Sequence, residues 1–438
     1  MFAARISAAL SVAGCVATAM AAQRSSPDTY RIIDLTDVTR GPLGLAIVDA
    51  TFVDEAGVVV GIGFEPVEGK PVALRWTDDG AVVEVLRLLR GDDNASEAWA
   101  IDAQGRPLGA SDRITFEGGP GPIRIFQDPV AVRWGDDGDA QRITDLLASP
   151  APYQLASVRG VASDGRMIGW GREPSGTVGL DFKGWLLETD GTLIDLGELD
   201  RPRALSDGGL IVGYRSSGQD KAFVWDDGAL TNLHDHPSIS GVTSRAYDTN
   251  SAGLIVGEAQ FDISQPEYAT VWRDTGGGYE PIHVLEGLFV RPQGVARSIT
   301  EDGTIVGWWA DLATPPFVGI QAFILPDGVD GEFLSLIDLV PDAASLGWER
   351  LQRADHINEN GWIVGTGVRD GVLGHAFLLI PIRCAPDLDG DGRLTVFDFL
   401  EFQNLFDAGD PRADFDGDGR LTLFDLLAFQ NAFNDGCE

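Results

Sequence analysis

The chain has three cysteines in 438 residues, and one of them, Cys15, lies inside an apolar N-terminal stretch. A framework of several disulfides is therefore excluded as a source of stability. Histidine is nearly as scarce, at five, and none stands in an H-E-x-x-H pattern, which excludes a zinc-peptidase helix. There is no nucleophile elbow, and Gly276-Gly277-Gly278 follows no strand-to-helix pattern and reads as a flexible turn, so a phosphate loop is absent too. Past Ala22 no run approaches the roughly eighteen uninterrupted apolar residues that a membrane helix requires. Basic residues are few: 32 Lys and Arg stand against 67 Asp and Glu, a net charge of -35 with a pI near 4.3. Such a surface repels phosphate backbones and excludes nucleic acid as a partner.

What is present begins with a leader. Met1 to Arg5 carries one positive charge, Ile6 to Ala22 is apolar, and Ala19 and Ala21 supply an A-x-A cleavage site, so residues 1–21 are expected to be a signal peptide cut near Ala21. Val12-Ala13-Gly14-Cys15 also fits a lipobox, which would leave Cys15 as a lipidated N-terminus. Either way the mature protein is expected to be secreted, extracellular or at the cell surface. There Cys384 and Cys437, which bracket the C-terminal segment, read as a disulfide clasp, with two free thiols as the alternative. Hydrophobic content of 44% is ample for a core.

Between these ends the chain repeats. Gly-x-hydrophobic-hydrophobic-Gly occurs at Gly57–Gly61, Gly105–Gly109, Gly165–Gly169, Gly209–Gly213, Gly253–Gly257, Gly303–Gly307 and Gly361–Gly365, seven copies about 50 residues apart. Each follows an apolar-alternating segment, as in Ala98-Trp99-Ala100-Ile101-Asp102, through turns such as Ser163-Asp164-Gly165, Glu301-Asp302-Gly303 and Glu359-Asn360-Gly361, which is hairpin chemistry. A third strand follows each pair, for example Ala73-Leu74-Arg75-Trp76 or Ala376-Phe377-Leu378-Leu379. Asp-Gly turns then lead to a fourth, such as Leu193-Ile194-Asp195-Leu196 or Leu336-Ile337-Asp338-Leu339. Four short strands per unit, repeated seven times without helical periodicity, predict a mainly β fold, a seven-bladed β-propeller over residues 30–381. An open β-solenoid or two stacked sheets is the alternative. The seventh unit lacks its fourth strand, while Tyr30-Arg31-Ile32-Ile33-Asp34-Leu35 stands alone at the other end, so the N-terminal strand is expected to complete the last blade. Trp76, Trp134, Trp225 and Trp272 recur in register and read as packing between blades. Of Trp308 and Trp309, one must point away from the core and is the aromatic candidate for ligand contact.

The last copy reads Ala354 to Asn358, Gly361-Trp362-Ile363-Val364-Gly365 and His375-Ala376-Phe377-Leu378. This resembles the HAF-type extracellular repeat family, with weaker copies over about Tyr30 to Pro381. Arg106-Pro107-Leu108 and Gly184-Trp185 depart from the pattern. The resemblance implies an exported repeat protein and no particular reaction.

From Asp387 the chain reads Asp-Leu-Asp-Gly-Asp-Gly-Arg-Leu-Thr-Val-Phe-Asp. A twelve-residue calcium loop takes oxygens from positions 1, 3, 5, 7, 9 and 12; these are Asp387, Asp389, Asp391, Arg393 (through its carbonyl), Thr395 and Asp398, with Gly392 at the turn. Twenty-seven positions later the set returns as Asp414, Asp416, Asp418, Arg420, Thr422 and Asp425, with Gly419. Two Ca²⁺ ions are expected. Phe399, Phe402 and Phe406, then Leu426, Phe429 and Phe433, place one apolar face on each following helix. Asp at position 12, one helix per loop and a terminal Gly436-Cys437 resemble a GC-type dockerin over residues 384–438. That resemblance implies a cohesin-like or cell-surface protein partner, chosen in part by positions 10 and 11. Here these are Val396, Phe397, Leu423 and Phe424, which are apolar, with packing between the two helices as the alternative for both phenylalanines.

Two histidines, His234 and His236, flank Asp235 in a blade-edge loop and would share a metal only if that loop were extended. His356 and His375 fall on repeat positions and are expected to make structural hydrogen bonds. No pair of carboxylates stands in a setting that supports general acid/base work. The sequence therefore reads as a non-catalytic recognition or scaffold propeller, with an extracellular glycan as one ligand class. A dockerin-borne polysaccharide lyase or glycoside hydrolase, a periplasmic structural protein and a module serving only as a sorting tag are the alternatives.

Overall fold

The computed structural model describes residues 29–45, 47–117, 124–173, 181–216, 218–285, 292–311, 318–382, 386–388, 394–416 and 420–435. The leader, Cys15, Cys384, Cys437, Asp389, Asp391, Gly392, Arg393, Asp418 and Gly419 lie outside them. The chain divides into two compact units, the larger over Asp28–Arg383 and the smaller holding the C-terminal helices.

Seven four-stranded antiparallel sheets make up the larger unit. They are the blades of a propeller, numbered here in chain order, and their first strands are Ile47–Val53, Ala95–Ile101, Gln154–Val161, Arg201–Leu205, Ser244–Thr249, Pro292–Ile299 and Trp348–Ile357. The seventh blade takes its fourth strand from the other end of the unit: Thr29–Asp34 pairs antiparallel with Val372–Ile382, Thr29 opposite Ile382 and Asp34 opposite Phe377. A short helix, α1 (Leu35–Leu43), follows this closing strand, with Asp34 as its N-cap. The expected fourth strand at Leu336–Leu339 is instead a 3₁₀ turn, and the blade edge is the two-residue strand Leu334–Ser335.

Both glycines of the repeated motif have a physical reason. The first ends the hairpin turn in the left-handed region, with φ of 80° at Gly57, 95° at Gly165 and 79° at Gly361, where a side chain would be strained. The second sits opposite the residue that precedes a β-bulge in the first strand, as Gly61 does opposite Ala50 and Gly213 opposite Pro202. A Cβ there would run into the carbonyl oxygen of Asp49 or Arg201, and the same collision recurs in the other five blades. The bulge brings backbone onto backbone, so only glycine fits.

Seven apolar clusters fill the seven spaces between neighbouring blades. Trp134, fully buried, packs with Val60, Ala73 and Leu86 between blades 1 and 2. Trp76 packs with Val364 and Leu378 between blades 7 and 1, where α1 also contributes Leu35. Trp185 and Trp272 fill corresponding places, whereas Trp225 is half-buried. The expected inter-blade role of these tryptophans is what the structure shows.

Replacing Gly213 by Ala is expected to cost about 2–4 kcal/mol, since the colliding atom is backbone that cannot yield. Gly91→Ala, where nothing lies within 4 Å, should change stability by less than about 0.5 kcal/mol. Urea unfolding of the two variants checks the difference.

Candidate functional site

All seven first strands contribute to one cavity of about 340 Å³ at the centre of the ring. The bulge recurs in every blade at one position of the repeat. The residue left unpaired in the ladder is Thr51, Trp99, Arg159, Arg203, Tyr247, Arg297 or Asp355, blade by blade, and all seven line the cavity. A bulge re-aims a side chain while the strand around it stays in the sheet. One backbone device thus presents a ring of seven unlike side chains on a near-identical scaffold.

The ring is electrically uneven. Across blades 6, 7 and 1, Arg297 lies 3.5 Å from Asp355, and Arg353 lies 3.7 Å from Asp49 and 3.8 Å from Asp355. Charges are paired there. Burial raises the carboxyl of Asp49, opposed by Arg353. Asp248 is pushed up to about 6 by burial, and its oxygens accept hydrogen bonds from Ser298 Oγ at 2.7 Å, Ile299 N at 3.0 Å and Thr249 N at 2.9 Å. That carboxyl lines the cavity and is held by its neighbours.

Blades 2 to 4 hold the other charges. The Arg159 guanidinium lies 3.9 Å over the Trp99 ring, and burial with Arg203 beside it lowers its pKa to about 9. Arg203 Nη2 donates to Tyr214 Oη at 2.8 Å. On the facing wall Arg297 sits 4.5 Å over the Tyr247 ring, whose hydroxyl donates to Glu258 at 2.8 Å. His356 lines the cavity against Phe52, ring centroids 4.1 Å apart, and accepts a long bond from Val53 N through Nδ1; burial draws its pKa down to about 3.

His234 and His236 do not share a site. His234 Nδ1 meets Ser244 Oγ at 2.9 Å and His236 Nδ1 meets Ser238 Oγ at 2.9 Å. The intervening chain is a 3₁₀ turn, Leu233–Asp235, not an extended loop, so the two rings do not converge. His375 Nδ1 is 2.7 Å from Asp34 Oδ2, which Arg369 also grips at 2.7 Å. That is a structural lock on the closing strand. Trp309 is buried edge-on to Phe333, and Trp308 is the half-buried member of the pair. Neither is an open aromatic platform.

In the smaller unit, α2 (Val396–Ala408) and α3 (Leu423–Asp435) each follow a loop. Thr395 and Asp398 form a capping box on α2. Asp398 accepts from Leu388 N at 2.9 Å and Thr395 N at 2.7 Å; Asp425 accepts from Asp416 N at 3.2 Å and Thr422 N at 2.6 Å. Position 12 thus accepts from the position-9 amide in both loops, and both carboxylates are fully buried. The Thr422 amide holds Asp425 below the usual carboxylate range. One oxygen each from Asp414, Asp416 and Asp425 lies within 4.8 Å of the others. Phe402 and Phe429 stack at 4.6 Å, and Phe399, Phe406, Leu426 and Phe433 pack around them as the heptad-like spacing predicted.

Positions 10 and 11 do not pack between the helices. Val396 is 66% exposed, Phe397 61%, Leu423 67% and Phe424 67%, because the helices meet through the phenylalanine faces on their other side. Sequence reading missed Leu400 and Leu427, which extend each exposed pair by one turn and are 50% and 46% exposed.

No family model matches this chain, nor does any of the curated proteins compared with it. Among solved structures it is similar to a puromycin hydrolase (14% identity, 67% of this chain and 47% of that one, TM-score 0.45). It is also similar to an oligogalacturonate lyase from Vibrio parahaemolyticus (11%, 82% and 96%, TM-score 0.44) and to the β-propeller domain of the Trilobed protease from Pyrococcus furiosus (11%, 76% and 95%, TM-score 0.43). The chain spans about half the length of the puromycin hydrolase. These are distant likenesses of architecture and bear on no activity.

Stability should depend on His356 below neutrality. Its folded pKa lies below the unfolded value of about 6.5, so the unfolded chain binds the extra proton and stability falls as pH drops through 6.5 toward 3. Between pH 7 and pH 5 the wild type is expected to lose on the order of 2 kcal/mol relative to His356→Gln, measured by denaturant unfolding at both pH values.

Proposed function

We propose that this protein is an exported, non-catalytic recognition or scaffold propeller, held by a calcium-dependent C-terminal module of dockerin type to a cohesin-like or cell-surface protein. The observation behind this reading is the convergence of Asp414, Asp416 and Asp425 at positions 1, 3 and 12 of a loop that the chain repeats in register. Calcium takes six to eight hard oxygens, and these donors are all oxygen, with the position-12 carboxylate already fixed by two amides. Mutually repelling carboxylates couple ion binding to folding. The paired apolar patches at Val396, Phe397 and Leu400, and at Leu423, Phe424 and Leu427, are large side chains left in water at matching places, which supports a role in docking a protein. Among the described residues no helix is long and apolar enough to cross a membrane. An extracellular glycan is the ligand class assigned to the propeller.

Titration calorimetry on the full chain should show two Ca²⁺ ions bound, and Asp425→Asn should lose one of them. Saturating calcium at about 100 times Kd should add about 2.7 kcal/mol per ion to the module's stability. An absence of heat, with identical circular dichroism in calcium and chelator, would contradict the reading.

Because the apolar patch is duplicated, Phe397→Asp or Phe424→Asp alone should leave partner capture measurable. The double variant should abolish it while still binding two ions. A polysaccharide panel assayed for binding and for product release tests the propeller, and product release would favour the lyase or hydrolase alternative.

A further inference from the structure

In a chain with more than twice as many acidic as basic residues, two cavity-lining guanidiniums on adjacent blades have one long carboxylate contact between them among the described residues. The nearest carboxylate to Arg159 is Glu97 at 3.9 Å, and that oxygen already accepts from Trp99 Nε1 at 3.0 Å. Arg159 makes no hydrogen bond among the described residues. Arg203 has no ion pair among them, and its buried Nε has no acceptor. The two occupy the same bulge position on adjacent blades, and Arg203 opposes the charge of Arg159.

Two like charges turned into one cavity cost stability unless something of opposite sign joins them. The paired arginines across blades 6, 7 and 1 show that the fold can place carboxylates beside channel guanidiniums; on this wall only Glu97 approaches, 3.9 Å from Arg159 and already engaged by Trp99, and no described carboxylate pairs with Arg203. From this geometry we infer that the central channel binds a small organic carboxylate, of about monosaccharide size, between Arg159 and Arg203. A planar guanidinium fork matches the two oxygens of a carboxylate. The cavity of about 340 Å³ is at the small-molecule end of binding-site sizes. Trp99 and Tyr247 already have arginines over their rings and serve as walls that hold the cations in place. The site deepens the reading of the propeller as a recognition domain and rests on it.

The test is calorimetry on the full chain at constant calcium, with glucuronate, glucose and inorganic sulfate as probes. Glucuronate should bind and glucose should not; Arg159→Gln and Arg203→Gln should each weaken glucuronate by roughly tenfold or more. In anion-free buffer Arg159→Gln should unfold at or above the wild-type temperature, because it removes a buried charge that lies beside Arg203, and the variant should lose the rise in midpoint that glucuronate gives the wild type. Equal binding of glucose and glucuronate, heat from sulfate but not from glucuronate, or unchanged affinity in both variants would overturn the assignment. If glucuronate fails while calcium and a neutral polysaccharide still bind the same sample, the channel assignment falls and the recognition reading stands.

Discussion

The pairing of Thr29–Asp34 with Val372–Ile382 is the contact on which the larger unit depends. A blade has two apolar faces and can bury them only against its neighbours, so seven blades need seven interfaces, and the last exists only if the ring closes. Closure brings residues more than 300 positions apart into one core: Tyr30 and Ile32 join Trp348 and Leu379, while Leu35 joins Trp76 and Leu378. Asp34 then serves three partners, capping α1 through the Asp37 amide and binding Arg369 and His375 of the seventh blade. The turns continue the same logic around the rim. Glu301 receives the Ser251 amide, Glu359 the Glu301 amide and Glu55 the Glu359 amide, so these contacts run from blade 5 through blades 6 and 7 to blade 1 across the closure.

From closure follows the channel, and from the bulge its chemistry. A bulge in a first strand needs a glycine in the second, since Cβ and carbonyl would otherwise occupy the same space. The motif that identifies the repeat is therefore the support for the residues that differ between repeats. Scaffold and site are separated within a few residues: Ala354 and Gly365 are fixed by packing, whereas Asp355 between them and the channel is free to vary, as Thr51, Trp99 and Arg159 do at the same place.

Much of this was legible from residues alone because the constraints are local. Positive φ and close approach demand glycine, and period-two apolar alternation marks strands, so blade number, hairpins and the closing strand could be read directly. Phe402 and Phe429 could be placed in one core by helical spacing. The bulge residues escaped notice because an Arg or Trp one place after a buried Ala looks like an ordinary outward position until register is known. A comparison among the seven copies holds the signal, since that place alone runs through Thr, Trp, Arg, Tyr and Asp. The exposure of Phe397 and Phe424 was undetermined for a similar reason: spacing fixes which residues share a face, but not which of two apolar faces meets the partner helix.

The C-terminal unit obeys a different rule: among its described residues the apolar cluster is small, built on Phe402, Leu405, Ala413 and Phe429, and the carboxylates of Asp398 and Asp425 are buried close to it in the chain. The propeller, by contrast, owes its order to one strand. Amide hydrogen exchange of the full chain measures that directly. Protection of those Thr29–Asp34 amides that bond to Val372–Ile382 equal to that of the central strand Ile363–Arg369, lost only in global unfolding, is the result this account predicts. Fast exchange of Thr29–Asp34 while Ile363–Arg369 remains protected would show a ring that holds without its closing strand and would contradict it.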